Sequence, residues 1–269
     1  MMTRRRLLIA LTLAFSFGSL AAQTAPTSRR YSADIASQRK DANSKLAHEQ
    51  LVAKAKSGRI DLYFLGDSIT RRWGCTDPQY SAMLENWRKN FFGWNAANFG
   101  WGGDSVQHML WRIQHGELEG VNPKVIVILA GANNVGKEPG GDAKVANLIK
   151  GIGVLVDTCR KLAPAAKIIL TGIFPRNDSM AVLSEINQVN YGIAKFADGK
   201  SIFYLNINDQ LAAQDGRLFE GMTVDQLHLS VKGYEVWAAN LAPLLTKLLG
   251  PPAAEDHAPA PTGDPSLAR

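Results

Sequence analysis

The sequence of 269 residues lacks the features that mark several large protein classes. No apolar run reaches the roughly 20 residues that a membrane-spanning helix needs. The chain has no Gly-x-Ser-x-Gly motif, which excludes an α/β-hydrolase nucleophile elbow, and no Gly-x-Gly-x-x-Gly dinucleotide fingerprint. With only two cysteines and no His-Glu-x-x-His motif, it offers no ligand set typical of a zinc site. We therefore expect neither a metal nor a cofactor.

The start of the chain has the layout of a secretory signal peptide. Three consecutive arginines precede an apolar stretch of 14 residues, Leu7 to Leu20, and small residues follow at Ala21 and Ala22. We predict that residues 1–22 are removed and that the protein is exported, either to the periplasm or as a secreted protein. An uncleaved anchor is the alternative, and the arginines are compatible with general or twin-arginine export.

The charge balance argues against a nucleic-acid partner. Loss of the three arginines with the signal lowers the formal net charge from +6 to +3, and the remaining charges are scattered along the chain. After cleavage we expect no stable membrane insertion. In an exported protein Cys75 and Cys159 could pair in a disulfide, but the sequence does not show that they meet, and it leaves the oligomeric state open as well.

The rest of the chain divides into three parts by composition. Residues 23–58 are polar and rich in Ala and Lys, which predicts an N-terminal helical extension that packs on the surface or serves as an interaction arm. Residues 59–250 are long enough for one large α/β domain. Residues 251–269 are rich in Pro and Ala without apolar periodicity, which predicts a disordered tail.

Within residues 59–250, short apolar runs alternate with helical patterns. The predicted strands are Ile60–Leu65, Ala96–Phe99, Lys124–Ala130, Lys167–Thr171 and Ile202–Asn206. The predicted helices are Tyr80–Asn90, Ser105–His115, Asp142–Ala163, Val182–Ala197 and Val231–Leu249. The third strand is apolar throughout, as expected of a strand covered on both faces of a parallel sheet. We predict a three-layer α/β/α sandwich with a mostly parallel five-stranded sheet and right-handed crossovers.

Four polar segments coincide with the predicted edge of this sheet. They are GDS at 66–68, GGDS at 102–105, GANN at 131–134 and DQLH at 225–228. The first three follow predicted strands and the fourth precedes the last helix. Because sites in such sheets lie beyond the carboxyl ends of the strands, we expect the four segments to converge there.

The residues in these segments fit acyl transfer. Ser68 is a candidate nucleophile, His228 is the histidine best placed to take its proton, and Asp225 precedes His228 closely enough to orient it. The backbone amides of Ser68 and Gly103 and the Asn133 side chain are candidate donors to the oxyanion. Taken singly, each residue also has a structural interpretation as a helix cap, a loop histidine or a turn residue.

The four segments resemble the sequence blocks of the SGNH hydrolases, also called the GDSL esterase family. GDSIT resembles the nucleophile block, GGDS the block with the oxyanion glycine, GANN the Gly-x-Asn-Asp block and DQLH the Asp-x-x-His block. The longer stretches NFGWGGDSVQHMLWRIQHGELEGVNPKVIVILAGANN and LHLSVKGYEVWA are similar to the platelet-activating factor acetylhydrolase catalytic-subunit branch. The resemblance extends over roughly Asp61 to Leu249.

This resemblance implies a flavodoxin-like sandwich and ester hydrolysis through an acyl-enzyme without a cofactor. The implied nucleophile, base, orienting acid and oxyanion donors are Ser68, His228, Asp225, Gly103 and Asn133. Asn134 departs from the Asp of the broad family, but the nearer branch accepts Asn at that position, so we expect activity to be retained.

Substrate preference rests on three neighbouring residues. Ile69 and Leu227 adjoin the nucleophile and the base, so we predict that they border a small acyl pocket that prefers acetyl and other short groups. Trp101, two residues before Gly103, is predicted to stack on substrate, for example on a sugar ring. The predicted function is a short-chain serine esterase acting on a small-molecule or polysaccharide ester. The alternatives are a lysophospholipase or lipid esterase and a non-catalytic polysaccharide-binding module.

Overall fold

A parallel sheet of five strands lies at the centre of the computed structural model, which describes residues 32–268. The strands are β1 (Leu62–Gly66), β2 (Ala96–Gly100), β3 (Val125–Leu129), β4 (Lys167–Thr171) and β5 (Ile202–Leu205). Their order is β2-β1-β3-β4-β5 and every pair is parallel. The predicted α/β fold and its five strands are confirmed. In this order the crossovers change direction between β1 and β3, which is where ligands bind in doubly wound sheets.

Helices cover both faces of the sheet. The α-helices are α1 (Ala42–Ala55), α2 (Ser68–Trp73), α3 (Ser81–Phe91), α4 (Val106–Arg112), α5 (Ala132–Val135), α6 (Gly141–Leu162), α7 (Leu183–Ala194), α8 (Asn208–Leu211) and α9 (Val231–Leu249). Helix α3 packs on α2 and α9, and α6 packs on α4 and α7. The predicted helix over 105–115 is interrupted, since α4 ends at Arg112 and passes into a π-helical turn in which Gly116 has a φ of 101°. Within residues 32–268, no helix has the length and apolar character needed to cross a bilayer.

The two faces of β1 carry different parts of the core. Every residue of β1 and β3 is buried, as predicted for strands covered on both sides. Because side chains alternate along a strand, Tyr63 and Phe64 point to opposite faces. Tyr63 stacks on Phe99 of β2, whereas Phe64 meets an aromatic cluster centred on Trp73. Trp73 has no exposed surface and stacks on Trp237 of α9, so the helix that follows the GDS segment is anchored in the core.

The N-terminal extension lies on the domain from residue 32 onward, and its helix is shorter than predicted. Helix α1 begins where the Asp41 side chain accepts a hydrogen bond from the Ser44 N–H at 2.8 Å, a helix N-cap. Near its other end, the buried Lys54 ammonium donates to the carbonyl oxygen of Asn98 at 2.7 Å. These contacts make residues 32–58 a layer of the domain. The predicted signal segment and residues 23–31 lie outside the described residues.

The C-terminal segment also lies against the domain, which differs from the predicted disordered tail. The Ala253 N–H donates to the carbonyl oxygen of Gly93 at 2.9 Å, and the Arg59 N–H donates to that of His257 at 2.8 Å. Further along, Asp264 accepts a hydrogen bond from Asn43 of α1 at 2.9 Å. Apart from a 3-10 turn at Pro265–Ala268, the segment has no regular element of its own, and backbone groups such as those of Ala253 and His257 pair with loops of the domain.

The two cysteines are both free thiols in the structure. Cys159 is fully buried in α6, and Cys75 is buried in the loop after α2. Burial raises the pKa of the Cys159 thiol to about 12, which keeps it protonated and unreactive. The question that the sequence left open is therefore answered in favour of free thiols.

The contact between Gly93 and the C-terminal segment gives a stability test. Gly93 has a φ of +87°, and a Cβ atom added there would lie 2.3 Å from the Ala253 carbonyl oxygen. Gly199 has a φ of +68° with open space around it. We expect Gly199→Ala to cost about 1–2 kcal/mol for the left-handed backbone alone, and Gly93→Ala to cost a further ~1–3 kcal/mol for the clash. Urea unfolding measures both variants, and equal losses would show that the segment does not pack on Gly93.

Candidate active site

The nucleophile candidate sits on a sharp turn between β1 and α2. Asp67 is the N-cap of α2, and its Oδ1 accepts a hydrogen bond from the Ile69 N–H at 2.9 Å. Gly66 precedes it because a Cβ atom there would lie 2.0 Å from the Thr70 hydroxyl oxygen. Ser68 is thus held as the first residue of a short helix and remains half-buried, with its hydroxyl at the carboxyl edge of the sheet.

Ser68, His228 and Asp225 form a continuous hydrogen-bonded chain. The Ser68 Oγ lies 2.9 Å from Nε2 of His228. On the other side of the ring, Nδ1 of His228 lies 2.7 Å from Oδ2 of Asp225. The contact with the carboxylate favours the tautomer that has the proton on Nδ1 and a free lone pair on Nε2. In this tautomer the ring can accept a proton from the serine. The structure therefore brings together three predicted residues separated by up to 160 positions.

The loop that carries the acid and the base is fixed by its own backbone. Oδ1 of Asp225 accepts hydrogen bonds from the N–H groups of Leu227 at 3.2 Å and His228 at 2.8 Å. Gln226, between them, has a φ of +67°, a conformation that non-glycine residues adopt only when the surroundings enforce it. The Val224 N–H donates to the His228 carbonyl oxygen at 2.9 Å and closes the loop. These contacts hold the imidazole at the end of Asp225.

Electrostatics keep this pair poised as acid and base. Partial burial opposes ionisation of Asp225, but hydrogen bonds from the His228 backbone and ring outweigh it, and the pKa of Asp225 falls to about 2. Burial lowers the pKa of His228, the guanidinium of Arg72 acts in the same direction, and Asp225 opposes both. The result is a carboxylate that is ionised and an imidazole that is neutral at neutral pH, which is the state a general base requires.

The two asparagines of the GANN segment do different things. Asn133 is exposed, and its Nδ2 donates to the Asp104 carbonyl oxygen at 2.8 Å and, over the longer distance of 3.5 Å, to Oδ2 of Asp67. Asn134 accepts a hydrogen bond from the Val106 N–H at 2.9 Å and donates to Gln107 Oε1 at 2.9 Å. Asn134 therefore ties α5 to the start of α4, whereas Asn133 is exposed at the edge of the site.

Gly103 lies at the tip of the neighbouring loop and is exposed. Its φ of +76° favours glycine, and a Cβ atom there would lie 3.1 Å from the Arg39 guanidinium. Arg39 donates to the Gly102 carbonyl oxygen at 3.1 Å and so braces this turn from the N-terminal extension. Beneath the turn, the buried Asp104 carboxylate accepts a hydrogen bond from Arg112 Nε at 2.7 Å. Burial raises the pKa of Asp104 to about 6, although Arg112 opposes the shift.

Among residues 32–268, no cluster of three or more His, Cys, Asp or Glu side chains is arranged to hold a metal ion. The side chains that the site does bring together are the serine hydroxyl, the adjacent histidine and nearby N–H donors. This constellation can form and break an acyl bond to oxygen.

Comparison with known proteins gives the same answer as the geometry. The model of the GDSL-like Lipase/Acylhydrolase family matches residues 64–236, which include every residue of the hydrogen-bonded chain. The chain belongs to this family. As a GDSL-like hydrolase it is an ester hydrolase, and its parallel sheet with flanking helices is the fold of that family.

The relatives found by sequence share more identical residues with this GDSL-like hydrolase than the solved structures that share its fold. Platelet-activating factor acetylhydrolase IB subunit alpha1 of Rattus norvegicus is 34% identical over 204 residues, 75% of this chain and 82% of the relative. A GDSL-like lipase from Bacteroides thetaiotaomicron superposes with a TM-score of 0.61 at 19% identity, covering 75% of this chain and 98% of that one. An acetyl-xylooligosaccharide esterase variant from Geobacillus Stearmophilus gives 0.51 at 19%, covering 72% and 96%. These structural likenesses show a shared fold.

Two predicted substrate-binding residues of this GDSL-like hydrolase are contradicted by their surroundings. Ile69 is 1% exposed and is part of the hydrophobic core, so it does not border an acyl pocket. Trp101 is 7% exposed, its indole N–H donates to Ser44 Oγ at 2.9 Å, and the Arg71 guanidinium covers its ring at 4.8 Å. Trp101 therefore fastens α1 to the domain instead of stacking on substrate. Leu227 is half-buried and packs against the core, and its place beside the acyl group stays a prediction.

Sequence reasoning missed one residue that touches the triad candidates. Arg72 Nη1 lies 3.2 Å from Oδ2 of Asp225, although the two residues are 153 positions apart. The available signal was its spacing from Ser68, because residues four apart on a helix share one face. Arg72 thus belongs to the site of this GDSL-like hydrolase.

Proposed function

We propose that this hydrolase is a serine esterase that removes short acyl groups, acetyl in particular, through an acyl-enzyme. The observation that carries the proposal is the chain of hydrogen bonds from Ser68 through His228 to Asp225, with distances of 2.9 and 2.7 Å. A cap or turn role for each residue does not require these three side chains to be joined end to end.

In the proposed reaction, Ser68 Oγ attacks the ester carbonyl carbon while His228 Nε2 takes the hydroxyl proton. Asp225 keeps the ring oriented through the Nδ1–H and stabilises the imidazolium. In this proposal the negative oxygen of the tetrahedral intermediate accepts hydrogen bonds from the backbone N–H groups of Ser68 and Gly103 and from Asn133 Nδ2, whose contact with Asp67 Oδ2 is long at 3.5 Å. His228 then gives its proton to the departing alkoxide, and a water molecule hydrolyses the acyl-enzyme by the same steps in reverse order.

An open site supports a bulky leaving group. Gly103, Asn133 and Asp225 are all exposed, and Ser68 is half-buried. Such an edge admits an ester on a large polymer but does not enclose a long acyl chain, whose transfer from water requires extensive apolar burial. The rat relative is named an acetylhydrolase, and one structural neighbour is named an acetyl-xylooligosaccharide esterase, and both names favour acetyl as the acyl group.

A groove beside the catalytic loop supports a carbohydrate leaving group. It has a volume of about 410 Å³ and lies beyond the carboxyl ends of β4 and β5. Its lining includes the side-chain amides of Asn187 and Gln214 and the exposed ring of Phe219, groups that suit a polyol with apolar ring faces. Asn177 connects it to the catalytic loop, since its N–H donates to Gln226 O at 2.8 Å and its Nδ2 to Gly216 O at 2.8 Å. We also propose that the protein is exported, which would expose the enzyme to acetylated polysaccharides.

The role of Ser68 is tested by covalent labelling. We expect Ser68→Ala to lose both labelling by a fluorophosphonate probe and hydrolysis of p-nitrophenyl acetate, because no other hydroxyl contacts His228 Nε2 among the hydrogen bonds of residues 32–268. Ser81, an exposed serine on α3, is the matched control, and Ser81→Ala should label normally. Retained labelling of Ser68→Ala would contradict the proposed nucleophile.

The two asparagines give a test of the oxyanion site. We expect Asn133→Ala to lower kcat about 10²–10³-fold with little change in KM, because its amide acts on charge that develops only in the transition state. Asn134→Ala should lower the thermal unfolding temperature and reduce kcat less than Asn133→Ala does, since Asn134 joins α5 to α4. Steady-state kinetics and thermal unfolding measure the two effects, and a change in KM alone for Asn133→Ala would argue for a binding role.

Substrate class is tested with two sets of esters. In a p-nitrophenyl series from acetate to dodecanoate, kcat/KM should be highest for acetate or butyrate, and a maximum at octanoate or beyond would favour the lipid-esterase alternative. Phe219→Ala should raise KM for acetylated xylo-oligosaccharides and leave p-nitrophenyl acetate unaffected, because only the longer substrate reaches the groove. Phe92→Ala is the matched control, an exposed phenylalanine that precedes β2 at the opposite edge of the sheet. If both variants cleave the oligosaccharide normally, the groove does not bind the leaving group.

A further inference from the structure

Arg72 is placed between the helix that carries Ser68 and the loop that carries His228. It lies one turn after Ser68 on α2, and its Nη1 is 3.2 Å from Oδ2 of Asp225. The same oxygen accepts the hydrogen bond from His228 Nδ1 at 2.7 Å. The Arg72 side chain is 19% exposed, so it is shielded from solvent more than Asp225, which is 44% exposed.

Arg72 is a donor to the Asp225 carboxylate from outside the loop that carries it. Oδ1 of Asp225 takes two backbone N–H groups from its own loop, and its Oδ2 takes the ring of His228. All three donors belong to the loop itself, whereas Arg72 lies on helix α2. Helix α2 is capped at Asp67 and fixed in the core by Trp73, so Arg72 fastens a partly exposed loop to a rigid element.

The guanidinium is itself held in one orientation. It lies over the ring of Tyr80 at 5.1 Å from the centroid, and Tyr80 is half-buried against the core. A planar cation fixed between an aromatic face and a carboxylate loses little further freedom when it binds, which suits it to orient a partner. Lysine lacks both the plane and the fork, so it would retain the charge without the same geometry.

The charge of Arg72 has a second effect, on the base. Burial lowers the pKa of His228, Arg72 lowers it further, and Asp225 opposes the shift. Asp178, in the loop after β4, also favours protonation of His228 but is paired with Arg176 and Lys137. The charges that act on the His228 ring are those of Arg72, Asp225 and Asp178. The neighbouring elements also carry the titratable groups Asp67, Arg71 and Tyr80 on or beside α2 and Tyr234 on α9. Arg72 is the cation in direct contact with the Asp225–His228 pair among these groups.

We propose that Arg72 is a positioning residue of the active site, which fixes Asp225 against α2 and sets the pH range in which His228 acts as a base. The inference rests on the proposed roles of Ser68, His228 and Asp225. Because a base must be unprotonated to act, kcat/KM rises as the pH rises through the pKa of His228. A cation beside the pair lowers that pKa, so Arg72 extends activity to lower pH.

The test replaces Arg72 in the full chain and follows p-nitrophenyl acetate hydrolysis against pH. In Arg72→Met we expect the acid limb of kcat/KM to move to higher pH by about half a unit or more, the size expected for removal of one charge at this range. We also expect kcat on the plateau to fall about 10- to 100-fold, because the ring is less firmly oriented. Arg72→Lys should keep the limb close to that of the parent enzyme while recovering only part of the plateau rate.

Two measurements separate this proposal from others. NMR titration of the His228 ring reports its pKa without turnover, so it tests Arg72 even if the proposed esterase reaction fails. Arg217→Met removes an exposed arginine that pairs with Asp215, and it should leave both the limb and the plateau unchanged. If Arg72→Met is folded and both its acid limb and its His228 titration match the parent enzyme, the proposal is overturned. If the plateau kcat of Arg72→Met falls while its acid limb and its His228 titration match the parent enzyme, Arg72 does not set the pH range of the base.

Discussion

The guanidinium of Arg112 lies between the ends of β1 and β2, and the catalytic edge of the sheet depends on it. It donates to the Phe99 carbonyl oxygen at 3.0 Å, to Asp104 beneath the Gly103 turn at 2.7 Å, and to Glu117. All three side chains of this ion cluster are buried, so removing the cation would leave Asp104 with only the longer contact to Arg39, at 3.5 Å, and Glu117 with only His48. Glu117 also contacts His48 of α1 at 2.7 Å. One buried charge thus links the oxyanion loop, the sheet and the N-terminal extension.

The fold and the placement of the candidate site residues followed from the sequence for physical reasons that are easily named. A strand covered on both faces has to be apolar throughout, and Val125–Leu129 is. A parallel sheet places the ends of its strands at one edge, so the polar residues Ser68 and Asn133 had to meet there once the strands were recognised. His228 and Asp225 were found because three residues of spacing suffice for one side chain to hold the other.

Other features depend on tertiary contacts that local sequence does not encode. Ile69 is next to the nucleophile in the chain, but the first turn of α2 directs it into the core. Trp101 resembles a surface aromatic until α1 covers it through Ser44. The C-terminal segment has no apolar pattern, and its order comes from backbone hydrogen bonds to loops such as that of Gly93. Arg72 meets its partner across 153 residues, so only the folded chain shows the contact.

The contact between Asn43 of α1 and Asp264 has a consequence for the order in which the enzyme matures. It joins positions 221 residues apart, beside the region where Asp264 also meets the loop of Asp77. Contacts of such long separation form late, because most of the chain must be closed into a loop before they can be made. Helix α1 therefore acquires its full set of partners only after residue 264 has been synthesised. A nascent chain whose residue 264 is still inside the ribosome lacks the Asn43–Asp264 hydrogen bond that joins α1 to the C-terminal segment.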